Sequence, residues 1–330
     1  MQESKKGSIK SILIFNSMND SEKTFTVSDL KDWATINDQF DVPALLSVFG
    51  NPVEHSLSPQ LHNPALNYCG IKSQYVKIKV PEDEFPEALN LIKENGFHGT
   101  NCTVPLKFEA INACDSVDDS ARRMGAVNTI RFENGKSLGS NSDGPGLVRA
   151  IREEFSIDLS DLRVMILGAG GGAGRAVAIQ CAIEEVERLV LVNRTEEKVR
   201  PVYDEVSKDF KEKHIHSSPS RLKMTGWSKL ELEEELGDTD LIINASSLGM
   251  KNSDPELIPA GLLQPHHLVY DMVYSPRKTK LIRNAISTGA RSANGISMLL
   301  HQGAISFETW FNREAPINEM RKGLNAALKD

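Results

Sequence analysis

A short apolar strand that runs straight into a cluster of glycines constrains this chain more than any other feature. The stretch VMILGAGGGAGRA (residues 164–176) continues as AVAIQCAIEE, which has the composition of a helix. Gly168, Gly170 and Ala173 satisfy the pattern G-x-G-x-x-G/A in the strand–turn–helix context that it requires. Such a turn brings backbone N–H groups and a helix N-terminus close to a pyrophosphate. The residues that we expect to bind a dinucleotide are Gly168, Ala169, Gly170, Gly171, Gly172 and Ala173.

The end of the next apolar run indicates which dinucleotide is bound. In dinucleotide-binding folds, an acidic residue about 20 residues after the glycines contacts the ribose 2′-hydroxyl of NAD. This chain has Asn193, Arg194 and Thr195 there, with Lys198 one turn further on. Arginine pairs with a phosphate that a carboxylate would repel, so the pattern predicts a cradle for the 2′-phosphate of NADP. The alternative, that Arg194 and Lys198 are solvated surface charges, stays open from the sequence.

The wider pattern predicts an α/β protein of two domains. About 150 residues per domain is usual, and the chain has 330. Apolar runs between about 146 and 295 are separated by helical stretches, as in a doubly wound parallel sheet of Rossmann type. Those runs are RVMILGAG, RLVLVNR, DLIINAS and HLVYDMVY. Short strand-like runs also alternate with amphipathic segments between 46 and about 143, which predicts a smaller α/β domain.

The two ends of the chain differ from these regions. Residues 1–45 are predicted to be a polar N-terminal extension with one strand at 11–15 and a short helix capped by Ser28 or Asp29. The last 35 residues predict two amphipathic helices separated by Pro316.

Composition excludes several function classes. The net charge of −7 and the pI near 5.7 disfavour a nucleic-acid or membrane partner, because an acidic surface attracts neither. The four cysteines form no CxxC pair, so we expect no metal site and a reducing, cytoplasmic location. No apolar run reaches the 18 or so residues that span a bilayer. We therefore expect a small-molecule substrate as the partner, and a homodimer stays open.

Polar side chains in the first region are candidates for chemistry. Ser56 and Ser58 lie two residues apart, so an extended segment would turn both hydroxyls to one side, where they suit a carboxylate or polyol. Ser58 could equally belong to a Ser–Pro turn that starts a helix. Lys107 follows the run NCTVP, while Asn128 and Asp143 stand at turn-rich strand ends. A lysine beside a carboxylate forms a proton-transfer pair.

These motifs together resemble the shikimate dehydrogenases from about residue 46 to 330. The resemblance rests on an ordered series of runs, namely EHSLSP, NCTVPLK, GAVNT, NSDG, the glycine turn, NRT, NASSLGM, DMVYSPRKTKL and MLLHQGAISFETW. It implies NADPH-dependent, reversible reduction of 3-dehydroshikimate in aromatic amino acid biosynthesis. It also implies that the C-terminal helices return to the first domain. The domains would then be 46–145 with 296–330 for substrate, and 146–295 for NADP.

The resemblance assigns roles residue by residue. Lys107 and Asp143 would be the catalytic pair. The implied substrate contacts are Ser56 and Ser58 for the carboxylate, Thr103, Asn128 and Gln302 for the ring hydroxyls, and Tyr274. Tyr274, Gly295 and Met298 would line the nicotinamide end of the cofactor site. The glycine turn is one small residue longer than is common in the family, so its third packing position is open between Ala173 and Gly174.

Two alternatives remain from the sequence. A quinate/shikimate dehydrogenase, or a relative acting on another cyclohexane carboxylate, is the nearest. Those relatives that use NAD tend to have an acidic residue where Arg194 stands, which disfavours them here. A non-catalytic NADP-binding sensor on the same fold is the second alternative, and the presence of Lys107 and Asp143 counts against it.

Overall fold

The computed structural model describes residues 23–210 and 220–328. The described strands are β1 (Thr24–Thr26), β2 (Ala44–Gly50), β3 (Gln74–Lys79), β4 (Gly99–Cys102), β5 (Ser116–Val117), β6 (Thr129–Glu133), β7 (Lys136–Ser140), β8 (Arg163–Leu167), β9 (Arg188–Val192), β10 (Leu222–Thr225), β11 (Leu241–Asn244), β12 (Leu268–Asp271) and β13 (Arg291–Asn294). The strand predicted at 11–15 lies outside the described residues.

Helices connect most of these strands. The described α-helices are α1 (Val27–Leu30), α2 (Trp33–Asn37), α3 (Ser58–Tyr68), α4 (Phe85–Glu94), α5 (Glu109–Ala113), α6 (Asp119–Met124), α7 (Asp143–Phe155), α8 (Gly172–Ile183), α9 (Glu196–Val206), α10 (Lys229–Leu236), α11 (Lys280–Ser287), α12 (Ile296–Phe311) and α13 (Ile317–Ala327).

The second sheet is parallel throughout, in the order β10-β9-β8-β11-β12-β13. Side chains of β8 alternate between two apolar cores, with Val164 and Ile166 on one face and Met165 and Leu167 on the other. A strand buried on both faces must be apolar throughout, which is why these runs were recognisable in the sequence. This arrangement confirms the predicted Rossmann-type sheet.

The first sheet is mixed, in the order β1-β3-β2-β4-β6-β7-β5. β6 is antiparallel to both β4 and β7, and the other pairs are parallel. Thr24 pairs with Lys77, so part of the polar N-terminal region adds an edge strand to this sheet. The prediction that Ser28 or Asp29 caps α1 was wrong, because Thr26 is the N-cap. The backbone N–H of Thr26 donates to the Asp29 carboxylate at 2.7 Å.

The two C-terminal helices pack on the first sheet, as the family resemblance implied. α12 lies against α7, and α13 lies against α3. The indole N–H of Trp310 in α12 donates to the backbone oxygen of Ile130 in β6 at 3.0 Å. The confirmed fold is therefore two α/β units with a helical return, while the residue numbers of the domain boundaries stay a prediction.

Candidate active site and cofactor cleft

A cavity of about 380 Å³ opens where the first sheet faces the second. Its wall includes all of the predicted catalytic and substrate residues, together with two predicted for the nicotinamide end: Ser56, Ser58, Thr103, Lys107, Asn128, Asp143, Tyr274, Gly295, Met298 and Gln302. These residues come from regions of the sequence up to about 250 positions apart, and the fold brings them to one place.

Lys107 and Asp143 form an ion pair in this cavity. Lys107 Nζ donates to Asp143 Oδ2 at 2.7 Å, and the two side chains are 28% and 18% exposed. Asp143 is the first residue of α7, and its own backbone N–H donates to Asn141 Oδ1 at 2.9 Å. The backbone at Asp143 is thus fixed, and its carboxylate orients the amine of Lys107. Such a pair can deliver a proton to a substrate oxygen at the cavity surface.

Ser56 and Ser58 meet for a different reason from the one predicted. The segment is not extended, because Leu57 is in a turn conformation and Ser58 begins α3, with Pro59 in its first turn. Ser56 Oγ donates to Ser58 Oγ at 3.1 Å and also accepts from the Ser58 backbone N–H at 3.3 Å. The two hydroxyls therefore form one polar patch, which suits an anionic group.

A buried hydrogen-bond network of amide and hydroxyl groups lies behind the cavity wall. Asn128 Nδ2 donates to Ser142 Oγ at 3.0 Å, and the backbone N–H of Ser142 donates back to Asn128 Oδ1 at 2.8 Å. Asn101 Nδ2 donates to Ser306 Oγ at 2.9 Å and to the backbone oxygen of Asn128. The Tyr75 hydroxyl donates to Asn101 Oδ1 at 2.8 Å. These bonds fix the amide orientations before any ligand arrives.

Sequence reasoning missed Tyr75 and Ser306 in this network. Tyr75 is fully buried in β3, where a tyrosine reads as ordinary core, and burial raises its pKa well above the usual range. Its ring stacks on His62 at a centroid distance of 4.6 Å. Burial lowers the pKa of His62 to about 3, so this imidazole is neutral at physiological pH.

A second, larger cleft of about 1120 Å³ adjoins the first cavity. The predicted cofactor residues in its wall are Gly168, Gly170, Gly171, Gly172, Ala173, Asn193, Arg194, Thr195 and Lys198. Ala169 is buried in the apolar core rather than in this wall. Gly295 and Met298 line the smaller cavity, and Tyr274 lines both.

The glycine turn has the geometry that close approach demands. Gly168 has φ of +82°, a conformation that other residues rarely adopt. A Cβ at Gly174 would lie 2.7 Å from the Cα of Ala169, so the third packing position is Gly174 rather than Ala173. A Cβ at Gly170 would lie 2.8 Å from Lys198 Cβ. The turn thus brings bare backbone against the residues predicted to bind the 2′-phosphate.

Arg194 and Lys198 stand exposed beside this turn. Among the described residues, neither has a carboxylate within ion-pair distance. Asn193 Nδ2 donates to the backbone oxygen of Thr195 at 2.8 Å, which fixes the loop between them. A small polar loop with two uncompensated cations fits a phosphate group.

Residues at the junction of the two spaces were not predicted. Met272 and His55 line both the cavity and the cleft, and Trp227 lines the cleft. Met272 lies within the run DMVYSP, directly after β12. Ligands bind at the carboxyl ends of the strands in such sheets, so its place at the end of a predicted strand could have marked it. No comparable signal marks Trp227.

The two units also touch beside the glycine turn. Arg175 of α8 donates to the backbone oxygens of Met124 and Arg123 at 3.1 Å each, at the end of α6. Arg123 in turn pairs with Asp209 at 2.6 Å. These contacts join the units along one side of the cleft.

Two kinds of feature are absent from the part of the chain that the structure describes. Across 23–210 and 220–328, no group of three or more His, Cys, Asp or Glu side chains is arranged to hold a metal ion. No described helix is long and apolar enough to cross a membrane.

Comparison with known proteins identifies the family. The Shikimate dehydrogenase substrate binding domain matches residues 48–130, and the Shikimate 5'-dehydrogenase C-terminal domain matches residues 295–323. The shikimate dehydrogenase (NADP(+)) of Methanopyrus kandleri is 37% identical over 86% of this chain and 96% of its own length.

Solved structures agree with this match. Shikimate dehydrogenase from Aquifex aeolicus has a TM-score of 0.75 at 32% identity, covering 85% of this chain and 97% of that one. The Thermus thermophilus enzyme, solved with NADP(H) and shikimate, has a TM-score of 0.74 at 31% identity, covering 86% and 99%. The ion pair of Lys107 and Asp143, the glycine turn and these relatives agree, and the chain belongs to the shikimate dehydrogenase family.

Proposed function

We propose that this chain catalyses the reversible, NADPH-dependent reduction of 3-dehydroshikimate to shikimate. The observation that carries the proposal is the ion pair of Lys107 and Asp143, 2.7 Å apart, in a cavity that opens onto a dinucleotide-type cleft. Relatives that are 37% identical are NADP-dependent shikimate dehydrogenases. The chain is thus an NADP-dependent oxidoreductase of aromatic amino acid biosynthesis.

The residues present fit NADP. Bare backbone at Gly168 and Gly170 leaves room for a pyrophosphate, and the exposed Arg194 and Lys198 offer positive charge where the 2′-phosphate would lie. When bound, NADPH supplies the hydride that reduces the C3 carbonyl of 3-dehydroshikimate. Asn193 and Thr195 complete the proposed phosphate site.

The chain's own residues manage the substrate and the proton. Ser56 and Ser58 bind the carboxylate, while Thr103, Asn128 and Gln302 hold the ring hydroxyls. Lys107 Nζ, oriented by Asp143, delivers the proton to the oxygen that becomes the C3 hydroxyl. Burial raises the pKa of Tyr274 above its usual value, so the phenol stays neutral and acts as a hydrogen-bonding wall rather than as a base.

Closure of the cleft would exclude water during transfer. Because Arg123 and Arg175 join the units along one side of the cleft, we infer that such a closure takes place at the other side. We also propose a cytoplasmic location, because the four cysteines, all within the described residues, are free thiols. A homodimer stays a prediction that light scattering would test.

One assay tests this function. We expect shikimate oxidation with NADP to exceed quinate oxidation at least tenfold in kcat/KM, and to exceed shikimate oxidation with NAD. Quinate carries an extra hydroxyl on the carboxylate-bearing carbon, and a buried polar group without a partner costs about 1–3 kcal/mol. Comparable kcat/KM values for the two acids, measured side by side with saturating NADP, would instead support a quinate/shikimate dehydrogenase.

A further inference from the structure

The side chains that line the cofactor cleft are of two chemically different kinds. One kind is basic and polar, with Arg194 and Lys198, and suits phosphates. The other kind is apolar and includes Leu248, Met250 and the indole of Trp227. A dinucleotide has the same division, since its phosphates are anionic and its purine is a flat, weakly polar ring.

Among these apolar side chains, Trp227 is held firmly. It follows β10, the strand on the far side of β9 from the glycine turn. Its indole N–H donates to the backbone oxygen of Leu257 at 3.0 Å. The ring is partly buried against the apolar core that includes Leu232 and Ile258, yet it still lines the cleft. One side of the side chain therefore packs on protein while another is available to a ligand.

The backbone on both sides of Trp227 is fixed by one carboxylate. Glu231 accepts hydrogen bonds from the N–H of Gly226 at 3.2 Å and from the N–H of Ser228 at 2.9 Å. A Cβ at Gly226 would collide with that carboxylate, since one of its oxygens lies 2.6 Å away. Ser228 also caps α10 with Glu231 as its partner. The indole thus has a position set before binding, which lowers the entropic cost of stacking.

We propose that Trp227 is an adenine-stacking residue, on whose ring the purine of the dinucleotide lies. The proposal rests on the proposed use of NADP and adds a contact that does not depend on the 2′-phosphate. Stacking of a base on an aromatic ring contributes about 1–3 kcal/mol by alanine substitution, which corresponds to about 5- to 150-fold in affinity. Trp227 therefore supports binding of NADP and NAD alike, whereas Arg194 distinguishes between them.

Calorimetric titration of the Trp227→Ala enzyme tests this contact with four ligands. We expect the Kd values of NADPH, NADH and 2′,5′-ADP to rise by a similar factor of at least 5. The Kd of reduced nicotinamide mononucleotide, which has no adenine, should not change. Trp227→Phe, which keeps an aromatic face, should restore most of the affinity. Trp227→Leu, which keeps apolar packing only, should not.

A fluorescence measurement covers the case in which Trp227→Ala fails to fold. The tryptophan emission quenched by 2′,5′-ADP should disappear in Trp227→Phe and persist in Trp33→Phe, since Trp33 is buried in the first unit. Unchanged adenine-ligand affinities in Trp227→Leu, or quenching that survives in Trp227→Phe, would overturn the stacking role. Failure of the unmodified enzyme to oxidise shikimate with NADP would instead overturn the proposed function.

Discussion

The polar groups of the substrate cavity and the cations of the cofactor cleft differ in whether the protein itself supplies their partners. In the cavity, Lys107 already pairs with Asp143, and the amide of Asn128 is already bonded to Ser142. In the cleft, Arg194 and Lys198 have no charged partner among the described residues. The groups proposed to move a proton are positioned in advance by other residues of the protein, while the cations proposed to bind the 2′-phosphate have no charged partner until that phosphate binds.

The difference follows from what each region must do. A proton-transfer group loses efficiency when it is displaced by about 1 Å, so its orientation must be fixed by other residues. A cation that recognises an exchanging cofactor must bind and release, and a permanent carboxylate partner would compete with the phosphate. The four substitutions below test this contrast.

Loss of the ion pair in the substrate cavity should have the largest effect on activity. Lys107→Ala removes the proposed proton donor, so we expect kcat to fall by at least about 100-fold, with little change in thermal unfolding. Lys322→Ala is the matched control, because that lysine is exposed on α13 and pairs only with Glu319 among the described residues. A fully active Lys107→Ala enzyme would remove the lysine from the mechanism.

Removal of a cation from the cofactor cleft should weaken the preference for NADP over NAD and leave kcat unchanged. Arg194→Ala removes a charge-assisted bond of about 1.5–3 kcal/mol, so KM for NADP should rise about 10- to 150-fold. KM for NAD should hardly change, because NAD has no 2′-phosphate. Arg200→Ala, on α9 but outside the cleft wall, is the control. Equal use of NADP and NAD by the unmodified enzyme would contradict the phosphate cradle.

The serine patch tests binding within the substrate cavity. Ser56→Ala removes one hydroxyl from a partly exposed site, so we expect KM for shikimate to rise about tenfold, the low end for a bond to a charged group. The fall in kcat should be smaller than this rise in KM. Steady-state kinetics with saturating NADP separates the two effects. A variant that loses kcat but keeps KM would place Ser56 in the chemical step instead.

The smallest expected effect concerns His62, whose ring stacks on Tyr75 of the buried hydrogen-bond network. Burial lowers its pKa to about 3 in the folded state, whereas the unfolded chain titrates near 6.5. Well above pH 6.5 the imidazole is neutral in both states; as the pH falls through 6.5 towards 3, only the unfolded state gains the proton, and stability is lost. Between pH 7 and 6 this loss is about 0.7 kcal/mol.

His62→Phe keeps the stack with Tyr75 and removes the titration. We therefore expect the free energy of unfolding, measured in urea, to fall by about 0.7 kcal/mol less between pH 7 and pH 6 in this variant than in the parent. Burial also lowers the pKa of His98 and His267, but both residues are present in variant and parent, so the difference isolates His62. Parallel pH profiles would show that His62 is not the acid-sensitive group.

The sequence predicted the buried framework well, because burial on two faces leaves a continuous apolar run such as that of β8. It did not predict β10 or β13, whose residues LKMT and RSAN are short, polar and partly exposed. Parallel pairing with the more buried strands β9 and β12 makes them strands, and that pairing is a tertiary effect. The cap of α1 was predicted two or three residues too far along the chain, because the first residue of a short helix is poorly marked in the sequence.

The site was predictable as a set of residue types and not as a geometry. Motifs named Lys107 and Asp143, but only the fold sets the 2.7 Å between them across 36 positions. Tyr75 was not predicted, since a buried tyrosine usually serves packing and nothing nearby in the sequence marks its hydroxyl as part of a network. Met298 and Gln302 came from family resemblance alone, because helix packing explains both equally well.

The helix α12 has a consequence for how such a chain can change length. Met298, Gln302, Ser306 and Trp310 follow one another at intervals of four, so they lie along one stripe of the helix. The stripe runs from the wall of the substrate cavity, at Met298 and Gln302, through the hydroxyl network to the hydrogen bond with Ile130.

One inserted residue would rotate everything beyond it by about 100° around the helix axis. A substitution on this stripe alters one contact at a time, whereas an insertion or deletion between 298 and 310 would displace every later side chain of the stripe together. The exposed hairpin tip at Asn134 and Gly135 can accept such a change in length.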